Sequence, residues 1–132
     1  MVPIPVALGM TLCDYVIIEE KTRKISLIGT FDSMVVDHTP VLANPFSIYS
    51  VLINGHGEGV VKVVVNCLET DEEVDFVRNQ LNFPDRFVPV KVHFRLSRLT
   101  LPTLGWYEVS LLIDEEWVAQ CRFHVKLKGK QS

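Results

Sequence analysis

The sequence predicts an all-β chain folded as an antiparallel sandwich, and three observations carry that prediction. Apolar and polar residues alternate with a period of two along most of the chain. Short clusters rich in glycine or charge separate the alternating runs. All seven prolines, at positions 3, 5, 40, 45, 84, 89 and 102, fall at strand starts or connections, as expected of a residue that cannot donate to a ladder.

The elements follow in order. Met1 to Cys13 is apolar enough to suggest a signal peptide, but it contains no Lys or Arg, and Pro3 and Pro5 interrupt its start. Leu8 to Cys13 resembles a lipoprotein cleavage box only superficially, because Leu12 stands where a small residue belongs. The segment therefore reads as the first strand. Tyr15 to Glu19 and Lys24 to Ile28 flank the charged Glu20-Lys21-Thr22-Arg23 and read as a hairpin. Phe46 to Ile53 and the run of Val61, Val63, Val65 and Cys67 flank Gly55-His56-Gly57-Glu58-Gly59 and read as another. That glycine loop lacks the strand-to-helix setting and the Lys-Ser/Thr pair of a phosphate loop.

Thr70-Asp71-Glu72-Glu73 matches a helix capping box, with Val74, Val77 and Leu81 as a short stripe. The same residues fit an edge strand from Val74 to Asn82 or an irregular connection, which the β surroundings favour. Val90, Val92, Phe94 and Leu96 alternate with Lys91, His93 and Arg95. Tyr107, Val109, Leu111 and Ile113 form the dry side of one strand, and Trp117, Ala119, Cys121, Phe123, Val125 and Leu127 that of the next. Asp114-Glu115-Glu116 turns between them. Trp106 and Val118 then face outward, as candidate exposed apolar groups.

Composition bounds the class. The 132 residues favour one domain spanning 1–132; 48% are apolar and 22% charged, as in ordinary globular proteins. The net charge of −3 argues against a nucleic-acid partner held by its phosphates. No stretch approaches a membrane-spanning length, since Tyr15-Val16-Ile17-Ile18 ends at Glu19-Glu20, so no membrane partner is expected and a cytoplasmic location is. Cys13, Cys67 and Cys121 each lie in an apolar run, which predicts reduced, buried thiols. No C-x-x-C occurs and His38, His56, His93 and His124 are isolated, so neither a zinc site nor any other cofactor is expected.

Seven or eight short strands with turns between them imply a β-sandwich. Leu96 and Leu99, followed by Gly105-Trp106-Tyr107, look like a tyrosine corner, in which a tyrosine hydroxyl ties a connection back to the backbone. The prediction thereby sharpens to an immunoglobulin-like antiparallel β-sandwich of seven or eight strands, without the usual inter-sheet cysteine pair.

Two segments resemble an uncharacterised bacterial family of small β-sandwich proteins, a domain of unknown function. One is Leu12-Cys13-Asp14-Tyr15-Val16-Ile17 with Thr22-Arg23-Lys24-Ile25-Ser26-Leu27-Ile28-Gly29-Thr30-Phe31-Asp32. The other runs from Gly105-Trp106-Tyr107 through Leu112-Ile113-Asp114 to Val118-Ala119 and Phe123. Arg23 stands where the family pattern leads one to expect glycine. The resemblance implies one sandwich over the full length and transfers no activity, cofactor or site residue.

No nucleophile elbow is present, and Asp37 and His38, adjacent on an extended chain, point opposite ways. The acidic run Glu69, Asp71, Glu72, Glu73 and Asp75 and the turn Asp114-Glu115-Glu116 could share one pole with Asp32 and Asp37 and hold Ca²⁺ if the chain has seven strands. With an eighth full strand at 74–82 the two runs fall at opposite ends. The basic rows Lys91, His93, Arg95 and Arg122, His124, Lys126 belong to different sheets of such a fold, which gives no continuous platform for a nucleic acid. No catalytic, cofactor-binding or metal-ligating residue is assigned. The expected function is a non-enzymatic binding module, engaging a protein partner or a second copy through a sheet edge or loops. The alternative is a Ca²⁺-dependent module or an enzyme using acidic loops at one pole.

Overall fold

In the computed structural model, which describes residues 4–129, the alternating runs form strands and no helix occurs among those residues. Eleven strands are present: β1 (Val6–Ile18), β2 (Ile25–Thr30), β3 (Ser33–Val36), β4 (Val41–Leu42), β5 (Phe46–Ile53), β6 (Gly57–Cys67), β7 (Glu72–Phe83), β8 (Val90–Leu96), β9 (Thr100–Leu101), β10 (Gly105–Ile113) and β11 (Glu116–Leu127). One sheet has the order β2-β1-β5-β8, a second β3-β11-β10-β6-β7, and β4 pairs with β9. All pairings are antiparallel except that of β3 with β11.

The expected count of seven or eight strands is therefore corrected to eleven. The eight longer strands coincide with the alternating runs. β3, β4 and β9, with four, two and two residues, are too short to display a period of two. The purely antiparallel expectation is corrected as well, because β3 runs alongside β11 in the same direction. The glycine-rich segment is no hairpin either. β5 and β6 belong to different sheets, so residues 54–56 carry the chain from one sheet to the other. Alternation reports which side of a strand is dry; it does not report which strand lies beside it.

β7 resolves the ambiguous segment as an edge strand paired along β6. Val77, Leu81 and Phe83 pack inward while Phe76 is exposed, and Leu81 and Phe83, two residues apart on one side, follow the strand period. Pro5, Pro40, Pro45, Pro84, Pro89 and Pro102 all lie outside strands; Pro3 lies outside the described residues.

The core lies between the sheets. Ile48, Leu52, Phe94 and Leu96 from the four-stranded sheet meet Val63, Val65, Val109 and Leu111 from the five-stranded one. An aromatic chain crosses it: Phe31 meets Phe46 edge-on at 5.4 Å, Phe46 meets Phe123 at 6.0 Å, and Phe123 stacks on Tyr107 at 5.2 Å. Each of the fully buried rings, Phe46, Phe123 and Tyr107, stabilises the fold by about 1.5–3 kcal/mol through burial. Tyr107 is fully buried, and its hydroxyl donates to the Thr103 carbonyl at 2.7 Å and accepts from the Thr103 N–H at 3.3 Å. Burial pushes its phenol pKa up to about 12, so it remains a donor throughout the neutral range. The expected tie between tyrosine and connection is present. Gly105 precedes it at φ +117°, where a Cβ would meet the Glu69 side chain, which accounts for glycine at the entry to β10.

Parity fails at one informative place. A bulge between Leu111 and Leu112 pairs Ala119 with Leu111 but Trp117 with Leu112, leaving Val118 unpaired. Beyond it the strand faces exchange. Val118 packs against the core, whereas Trp117, expected inside, is 66% exposed. Trp106 is exposed as expected and stacks on His124 at 4.6 Å.

Candidate interaction surfaces

The acidic residues do not assemble into one pole. Tyr107 pairs with Cys67 and Ile113 with Val61, so the β6–β7 turn and the β10–β11 turn lie at opposite ends of the five-stranded sheet. Each acidic run serves its own turn. Asp71, Asp114 and Glu115 adopt left-handed backbone with φ of 57°, 48° and 70°. The Asp114 carboxylate accepts the Val60 N–H at 2.8 Å and thereby clamps the last hairpin onto β6. No cluster of three or more potential metal ligands occurs among the described residues.

The two basic rows lie in different sheets, on β8 and β11. On β8, His93 Nε2 lies 3.0 Å from Ser47 Oγ, the spacing of a base and a nucleophile. Ser47 is fully buried and also accepts a hydrogen bond from Arg95, whose guanidinium donates to the Asp14 carbonyl at 2.8 Å. These bonds tie β1, β5 and β8 together beneath the Tyr15 ring, which Arg95 covers at 5.1 Å. Burial, reinforced by Arg95, holds His93 below its ordinary pKa. Sequence reasoning missed this group because Ser47 and Arg95 stand 48 residues apart and no motif links them.

All three cysteines are free; Cys13 and Cys67 are buried and Cys121 is half-buried. Burial, aided by the nearby Glu108, pushes the Cys121 thiol up to about 11. A groove of about 620 Å³ opens beside β3, with Phe31, Met34 and Phe46 as apolar lining and Asp14, Asp37 and Lys128 among its polar groups.

The edges of the two sheets differ in a way that bears on recognition. An edge strand offers unpaired backbone groups, and proteins blunt it with charge, proline or brevity. β7 carries Glu72, Glu73, Asp75 and Arg78; β8 carries Lys91 and Arg95; β3 has four residues. β2, Ile25-Ser26-Leu27-Ile28-Gly29-Thr30, carries neither charge nor proline and ends its sheet. Its hairpin with β1 turns through Arg23, at φ 60°, closed by the Glu19 N–H bonding to the Lys24 carbonyl at 2.9 Å.

Tyr15 pairs with Ile28 and Ile17 with Ser26, and Tyr15, Ile17 and Ile28 are all about half exposed. Val16, Ile18 and Ile25 line a recess of about 240 Å³ whose other wall is Tyr49, Lys91 and His93. The hairpin thus presents an unprotected backbone edge framed by apolar side chains. The turn was legible in the sequence; the exposure of both its sides was not, since period-two reading assigns one side to the core.

A model of a family of unknown function (DUF6941) matches residues 8–126. The chain belongs to that family. The DUF6941 match takes in both segments that carried the resemblance, Leu12–Asp32 and Gly105–Phe123, together with all of β2 and Trp117. No curated protein matches the chain.

Proposed function

We propose that this DUF6941 chain is a non-enzymatic protein-interaction module of the immunoglobulin-like class, working in the reducing interior of a bacterial cell. The strand order supports the class: β1, β5 and β8 in one sheet face β11, β10, β6 and β7 in the other, in the manner of a Greek-key sandwich, and Tyr107 supplies the tyrosine corner. Three free thiols support the compartment.

One observation carries the function: β2 is an edge strand with neither charge nor proline, flanked by exposed Tyr15, Ile17 and Ile28. An extended segment of a partner adds to such an edge through main-chain hydrogen bonds, and alternate side chains settle on the apolar flanks. Lysine on the strand opposes this addition, because the incoming chain must desolvate its charge.

The test is affinity capture from the native host with the wild-type chain and an Ile28→Lys variant. Ile28 is exposed, so the variant folds with a stability change within about 0.5 kcal/mol. A partner retained by wild type and lost with Ile28→Lys supports the edge; a partner retained equally by both contradicts it.

A further inference from the structure

We propose that the outer face of the five-stranded sheet binds a second copy of this chain, about a twofold axis lying across the strands at the level of Val64 and Ser110. This surface is on the opposite sheet from the β1–β2 hairpin and does not depend on the reading of that hairpin.

Cross-strand register lays the face out in rows. One row is Arg78, Lys62, Leu112 and Trp117; the next is Phe76, Val64, Ser110 and Gln120; the third is Glu73, Asn66, Glu108 and Arg122. Leu112 and Val64 form an apolar floor at 9% and 8% exposure, with Trp117 and Phe76 standing out from it at 66% and 51%. Aromatic anchors around a closed apolar centre are the anatomy of an interface core.

Charge decides the occupant. Lys62 and Arg78 are directly opposite each other, a like-charge pair that costs stability within the sheet. The described residues hold one ion pair, Arg122 to Glu108 at 3.1 Å, and it lies in the third row, away from these cations. Glu73 is exposed in that same third row. Turning the face over about the stated axis exchanges the first row with the third. Arg78 then meets Glu73 of the second copy, and Trp117 meets Arg122 of the second copy, each contact made twice as an isologous interface requires. A purely acidic partner would satisfy the cations and repel Glu73. A second copy satisfies Arg78 and Glu73 together, while Lys62, which then meets Asn66 of the second copy, keeps the Phe76 ring of its own chain as its partner at 5.3 Å.

The experiment is the sedimentation of the 132-residue chain from low to high micromolar concentration. Wild type is expected to dimerise. Trp117→Ser is expected to abolish the dimer, and Arg78→Glu, which sets a second carboxylate against Glu73, to weaken it roughly tenfold. Glu73→Arg combined with Arg78→Glu is expected to restore it, which no effect on folding would do. Ile28→Lys leaves this dimer intact, so failure here and failure of the hairpin proposal are separately visible. A chain that stays monomeric throughout overturns the inference, as does a dimer indifferent to Trp117→Ser or one that the double charge swap fails to rescue.

Discussion

Two residues illustrate how local chemistry sets this fold. Tyr107 fills the core with its ring and commits its hydroxyl to both backbone groups of Thr103. Tyr107→Phe keeps the stacking on Phe123 but leaves a part-buried carbonyl and N–H short of a partner. The expected loss is about 1–3 kcal/mol, read as a lower denaturant midpoint with unchanged slope. Arg23 holds φ 60° in the β1–β2 turn, where a side chain is strained and glycine is not. Arg23→Gly is expected to raise stability by about 0.5–1 kcal/mol in the same measurement, relief of strain outweighing the freedom gained by the unfolded chain. A loss would mean that the arginine side chain, which lines the recess below the hairpin, contributes more than its backbone costs. Both positions drew notice in the sequence: the tyrosine from its place before a strand, the arginine because the family resemblance implies glycine there.

At the scale of elements, the long strands were legible because one side of each is dry and the other wet. What alternation does not contain is the identity of the neighbour, which is why the glycine-rich segment reads as a hairpin and is a crossover between sheets. Nor does it announce a bulge. The unpaired Val118 reverses the faces beyond it and turns Trp117 from an expected core residue into an exposed one. The acidic runs mislead for a related reason: composition shows that they are turns, but only register shows that the turns are at opposite ends. An exposed sheet edge was expected from the sequence, without the identity of the strand that forms it. Its location on β2 follows from comparing the four edges, a comparison that needs the strand order.

In the molecule as a whole, the two sheets divide labour. The interior, from Phe31 through Phe46 and Phe123 to Tyr107, joins them into one packed body. The exteriors carry the two surfaces proposed for recognition, the β2 edge on one sheet and the face around Trp117 and Phe76 on the other. That division predicts a gradient of backbone protection. Amides of β10, paired on both sides, open only with large-scale unfolding, whereas those of β2 open locally. The most direct measurement of the central claim is therefore amide hydrogen exchange of residues 25–30, free and with the captured partner bound. Fast exchange in the free chain that slows markedly in the complex is the predicted result. Exchange at residues 25–30 that is unchanged by the partner, with protection gained elsewhere, would contradict the claim that β2 is where another protein docks.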